Sequence, residues 1–235
     1  MNHLVSHQHH HDMPAALPTS GRLGKPSVND IYSQVFDAIL EQRMAPASHF
    51  TEESLGEMFG GNRGVIRRVL ARLSQQQVVI LRPNHRPHIA APGLEQTRQA
   101  LHARRLAERA LVRLACKAPQ PKDLQRLRDL VEHERQCLDR GERGAAIRLS
   151  GEFHLHVATM AGNAPLAQFL GSLVPLTSLA MAQHGSRMHG AWQVHVAIID
   201  ALQGGYVDTA VRLMSEYLDH FEQKLLMAAD TAALT

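Results

Sequence analysis

At 235 residues the chain exceeds the usual single-domain length of roughly 100 to 150 residues, so two domains, or one large one, are expected. With 44% hydrophobic and 20% charged residues it is neither wholly disordered, collagen-like nor heptad-only, and 4% aromatics beside abundant Ala, Leu, Arg and Gln lean towards helix. The net charge of +3 is unevenly placed: Asn62 to Arg86 holds six Arg and no acid, whereas Gly93 to Thr235 is nearly balanced.

Residues 1–26 are rich in His, Pro, Gly and Ser without periodicity and read as a flexible arm. His9, His10 and His11 could bind a metal ion or belong to an added tag, the plainer reading being a solvated terminus. No basic segment followed by an apolar stretch opens the chain, so no signal peptide is expected and the protein is expected in the cytoplasm. Cys116 and Cys137 are too few for a disulfide scaffold and suit a reducing compartment, with one disulfide left open.

From Ser27 a helical pattern begins. Ser27 and Asp30 form a capping pair, and Ile31, Val35, Ile39 and Leu40 make one apolar stripe ending near Arg43. Residues 44–50 read as a turn. Thr51 then caps a short helix with Leu55, Met58 and Phe59 inward, and Gly60 and Gly61 stop it. Asn62 caps a third helix that turns Val65, Ile66, Val69, Leu70 and Leu73 inward and leaves Arg63, Arg67, Arg68 and Arg72 largely elsewhere. Residues 78–81 and His88 to Ala90 read as two strands around the turn at 82–87. The sum is a winged helix-turn-helix over 27–92.

Pro92 and Gly93 mark a hinge. Beyond it, 93–235 reads as an antiparallel all-helical domain of about six helices, near 94–116, 121–140, 143–162, 164–184, 190–203 and 206–229, with room for a cavity and a dimer face. Phe153 to Ser186 carries no Asp, Glu, Lys or Arg, yet its His, Asn, Gln and Pro residues argue for core and against a membrane span.

Reading DNA needs a cationic face and an element that enters the major groove. The third helix supplies both: Arg63 and Arg67, four apart, share a face near its N-terminus, where an Arg can give guanine two hydrogen bonds. The alternative, a merely solvated face, fits poorly with six arginines and no acid. Leu55 to Leu73 resembles the DNA-binding signature of GntR-family bacterial transcription regulators: Arg63, Ile66, Arg67, Leu70 and Leu73 match, and Asn62 stands where Ser or Thr is usual. Arg82 to Ile89 resembles the family's wing, with Arg86 at the usual glycine position. The resemblance implies DNA contacts from Asn62, Arg63, Arg67, Arg68, Arg72, Arg82, His85 and Arg86, the last to a phosphate in place of the usual minor-groove contact.

Past the hinge, Arg104 to Glu108, Phe153 and His154 followed by Ala161 to Asn163, and His195 to Leu202 are similar to segments of the FCD effector domain of FadR-like regulators. Many such domains hold a divalent metal with one Asp and three His, and those positions fall here on Ser150, His154, His195 and Tyr217. With two ligands gone, the resemblance implies either a degenerate site for Zn²⁺ or Ni²⁺ on His154 and His195, His220 substituting one turn beyond Tyr217, or a hydrogen-bonded pocket without metal. Ser150, His154, His195 and Tyr217, with Arg104 facing an acid group, are then the effector candidates. His154 and His156, two apart on a helix, point in different directions and make no joint metal site. His184 and His189 flank a turn and read as solvated. Trp192 either walls the cavity or packs in the core.

The expected function is a ligand-responsive repressor, a homodimer on an operator of double-stranded DNA, released by a small metabolite such as a carboxylate. Two alternatives stand beside it: a DNA-binding protein with a filled pocket, and a metal-dependent enzyme using the two histidines, for which no carboxylate pair or activated nucleophile is evident in the sequence.

Overall fold

The computed structural model describes residues 26–44, 50–183 and 191–233. The expectations for the N-terminal arm, the turn after Met44, and His184 and His189 lie outside these residues.

The first unit is built from three capped helices and a small wing. α1 (Val28–Leu40) opens with the capping box foreseen in sequence: Ser27 Oγ accepts from Asp30 N at 3.2 Å and Asp30 returns the bond to Ser27 N at 2.9 Å. α2 (Glu52–Phe59) is capped by Thr51 and closed by Gly60 in the left-handed conformation at φ 69°. The turn to α3 is tight, because a Cβ on Gly61 would lie 2.6 Å from Ile31 Cδ1. α3 (Arg63–Gln75) begins at Asn62, whose side chain accepts from Val65 N at 3.0 Å. Ile31, Val35, Leu55, Ile66, Val69 and Leu73 are buried together.

β1 (Val79–Ile80) and β2 (His88–Ile89) pair antiparallel, Val79 opposite Ile89. Both are shorter than expected. Val78 N is taken by Leu73 O at the end of α3, and Leu81 faces solvent. The wing's left-handed residue is Asn84 at φ 59°, so Arg86 meets no backbone demand for glycine.

Six helices follow among the described residues: α4 (Leu94–Ala115), α5 (Pro121–Asp139), α6 (Arg143–Met160), α7 (Ala164–Gln183), α8 (Ala191–Gln203) and α9 (Val207–Ala233). α4 packs on α7 and α9, and α6 lies between α5 and α7. α7 has the length and composition of a membrane span, but Leu170 and Leu173 to Ala182 are buried, which makes it a core helix. Pro175 has no N–H to bond back to Gly171 O, and two residues on the Thr177 hydroxyl shares its one proton between the Leu173 and Val174 carbonyls. Cys116 and Cys137 are free and buried.

The two units are in broad contact. α1 lies along α6, where Gly144 packs directly on the Asp37 carbonyl. Leu179 and Ala182 of α7 join the core of the first unit, and Gln183 Nε2 donates to Ala90 O at 2.8 Å.

Candidate functional site

Apolar residues at α3 positions 66, 69, 70 and 73 seat the helix, and that spacing leaves Arg63, Arg67 and Arg68 exposed on the outer side. Arg63 and Arg67 converge on one carboxylate: Glu52 accepts from Arg63 Nε at 3.0 Å and from Arg67 Nε at 2.9 Å. Asn62, beyond its capping bond, is exposed. Arg72 is exposed as well, but is engaged within the protein. Its Nη1 donates to Asn29 Oδ1 at 3.1 Å and its guanidinium lies 3.6 Å over the Tyr32 ring, so the group is turned back onto α1. At the wing, Arg82, His85 and Arg86 are exposed, with His85 N bonded to Arg82 O and His85 Nδ1 2.8 Å from Pro83 O.

A second constellation lies inside the helical unit. Arg104 is buried in α4, with Nε donating to Glu108 Oε1 at 2.6 Å and Nη1 to Thr177 Oγ at 2.7 Å. The other Glu108 oxygen meets His154 Nδ1 at 2.6 Å, and Glu134 from α5 meets His195 Nδ1 at 3.0 Å. The two imidazoles lie edge to face with centroids 5.3 Å apart, and the Tyr217 ring sits 4.9 Å from one and 5.2 Å from the other. Tyr217 Oη is 3.3 Å from Ser150 Oγ. Ser150, His154, His195, Tyr217 and Arg104 therefore meet in one buried polar cluster.

Burial pushes the Glu108 carboxyl up, but Arg104 and His154 outweigh it and hold it at about 2. Burial also drives His154 down to about 4 against the pull of Glu108, so near neutral pH the carboxylate is charged and the imidazole neutral. The hydrogen-bond network assigns the His154 proton to Nδ1, leaving a lone pair on Nε2. The Nε2 atoms of His154 and His195, and Nη2 of Arg104, are buried without a partner. Such atoms are costly unless something fills their bonds.

The family model for bacterial regulatory proteins, gntR family, matches residues 27–88, and that for the FCD domain matches 99–220. The chain belongs to the FCD class of the GntR family. Among solved structures, E. coli McbR/YncC is similar with a TM-score of 0.68 and 16% identity, covering 87% of this chain and 98% of that one. A putative transcriptional regulator GntR from Rhodococcus sp. RHA1 gives 0.67 and 20%, covering 86% and 98%. A GntR family member from Pseudomonas syringae pv. tomato str. DC3000 gives 0.51 and 19%, covering 86% and 88%. At these identities the structures show a shared fold. No curated protein matches the chain.

This GntR-family chain is thus a DNA-binding transcriptional regulator with an effector domain. Its donor set does not fit the metal that the FCD resemblance implies. Ser150 brings no charge, and burial pushes the Tyr217 hydroxyl up to about 12, which keeps its proton on. His220, the candidate substitute, is exposed on α9, whereas both imidazoles are buried. Two imidazoles with no anionic donor are a poor site for Zn²⁺ or Ni²⁺. His156 lies 3.6 Å from Asp123 of α5 while His154 meets α4, so the pair diverges as its spacing requires. Trp192 is half-buried against the α5, α6 and α8 core.

Sequence reasoning passed over Glu134, Thr177 and the roles of Glu108 and Glu52. Glu134 was within reach. It stands in the seam of Leu127, Leu130, Val131 and Cys137 at helical spacing, where a carboxylate needs a partner.

Proposed function

We propose that this regulator is a homodimeric repressor that acts in the cytoplasm and leaves its operator when a small polar metabolite enters the helical domain. Two reading heads related by a two-fold axis match a palindrome-like operator, each laying the N-terminal part of α3 in the major groove. In this reading Asn62, Arg63, Arg67 and Arg68 face base edges and the nearest phosphates. Arg82, His85 and Arg86 follow the backbone from the wing, and Arg72 braces α3 from behind. The units divide at Pro92 and Gly93, the first reading DNA and the second binding ligand and pairing the subunits.

The observation that carries the effector half is that three atoms of this one cluster, His154 Nε2, His195 Nε2 and Arg104 Nη2, are buried without a partner. The His154 Nε2 lone pair asks for a hydroxyl or amino donor, and His195, held the same way by Glu134, suits the same kind of group. Arg104 Nη2 asks for an acceptor, best an acid group. A small hydroxy or amino acid offers all three, with Ser150 and Tyr217 completing the shell, and needs no metal. A melting-temperature screen of the purified protein against 2-hydroxy and 2-amino acids tests this. At least one should raise the midpoint, and His195→Asn, which keeps a donor for Glu134 but removes Nε2, should abolish the shift. A core that stays unshifted by every such acid would favour a regulator whose pocket is filled by its own side chains.

A further inference from the structure

The geometry points to Glu52 as a specificity-determining residue that positions the two arginines of α3 and discounts their charge. The inference rests on the reading of α3 as the DNA-reading helix and adds a residue outside it. Glu52 opens α2, directly after the Thr51 cap, and the tight turn through Gly60, Gly61 and Asn62 brings it beside the first turn of α3. Its Oε2 accepts from Arg63 Nε at 3.0 Å and both its oxygens accept from Arg67 Nε, at 3.0 and 2.9 Å. Arg63 and Arg67 nonetheless remain 75% and 57% exposed. The carboxylate takes one donor, the Nε–H, from each guanidinium and leaves both side chains largely exposed.

Two consequences follow from the chemistry. A guanidinium whose Nε–H is occupied presents its remaining donors in a fixed orientation, and guanine N7 and O6 need two parallel donors at fixed spacing. Less freedom is then lost on contact with the correct base. Second, a carboxylate beside two arginines lowers the local charge by one, which weakens attraction to any phosphate while leaving directional hydrogen bonding in place. Phosphate attraction dominates non-specific binding, so the discount falls mainly on wrong sequences. A surface ion pair as exposed as this adds little stability, which makes the arrangement hard to explain as a fold device.

The test uses the full chain, a duplex enriched from a random pool by the wild type, and a scrambled duplex of equal length, with anisotropy read across a salt series. Glu52→Gln should bind the scrambled duplex more tightly, steepen the salt slope by about 0.9, and lower the ratio of enriched to scrambled affinity about tenfold. Glu52→Asp keeps the charge but retracts the carboxylate, so the ratio should fall while the salt slope stays at the wild-type value. The proposal is overturned if both variants keep the wild-type ratio, or if Glu52→Gln weakens both duplexes equally with a lowered melting temperature. If Glu52→Asp alone behaves as wild type, charge acts without positioning and the proposal fails in that form. Arg67→Ala run alongside separates the levels: if it too keeps the ratio, the reading of α3 itself is at fault.

Discussion

Arg148 of α6 grips Asp37 of α1 with two hydrogen bonds, Nε to Oδ1 at 2.7 Å and Nη2 to Oδ2 at 3.2 Å, while its Nη1 holds Glu152 at 2.7 Å. The pair is largely buried, at 13% and 17% exposure, and joins the DNA-reading unit to the helix that carries Ser150 and His154. Burial raises the Asp37 carboxyl above its usual range despite the guanidinium. Removing one partner strands the other, so Asp37→Ala should cost roughly 2 to 4 kcal/mol, and the double variant Asp37→Ala/Arg148→Met should recover part of it. Chemical denaturation of the four species in a mutant cycle checks this. Additive losses would show that the two side chains do not act as a pair.

Acid should weaken the protein through the buried cluster. His154 is lowered from 6.5 to about 4, so its contribution is present above pH 6.5 and is lost as pH falls towards 4. Glu108 is lowered from 4.5 to about 2, and its share disappears between those values. The His154 step is of the order of 3 kcal/mol. Melting temperatures between pH 7.5 and 4 should therefore fall, and His154→Asn should flatten the upper part of the slope. A wild-type curve flat from pH 6.5 to 4 would remove this cluster from the account.

Elemental analysis should find well under one equivalent of Zn²⁺ or Ni²⁺ on protein purified without chelator after removal of residues 1–25, whose histidines would confuse the count. Stoichiometric metal lost on His195→Asn would reverse the donor argument built on Ser150 and Tyr217.

On the DNA side, Arg67→Ala should abolish discrimination of the operator, at about 1 to 3 kcal/mol, with the melting temperature nearly unchanged. Gel shifts and a thermal melt decide it. Unchanged discrimination by a folded variant would take α3 out of the major groove.

The helices were legible because each carries its own local instructions: the Ser27 and Asp30 box, the Thr51 and Asn62 caps, and Pro121 at the start of α5. The cluster was half legible. Ser150 and His154 share a helix face at four-residue spacing, but their meeting with His195 and Tyr217 depends on how α6, α8 and α9 pack, which no local pattern encodes. The same reason hid Glu134, held across from another helix, and the turning of Arg72 onto Tyr32, forty residues away in sequence. The contact between the two units was least visible. Leu179 and Ala182 look like ordinary core residues of α7, and only the tertiary arrangement shows that they belong to the neighbouring core.

In the proposed reading, a small polar acid held by His154, His195 and Arg104 governs DNA binding by α3. The most direct test of that reading is fluorescence anisotropy of the preformed complex with the enriched duplex, titrated with the 2-hydroxy and 2-amino acids that raise the melting temperature. On this reading the wild-type complex dissociates, and that of His195→Asn, which should bind the duplex as tightly as wild type, does not. Dissociation that persists undiminished in His195→Asn would contradict it.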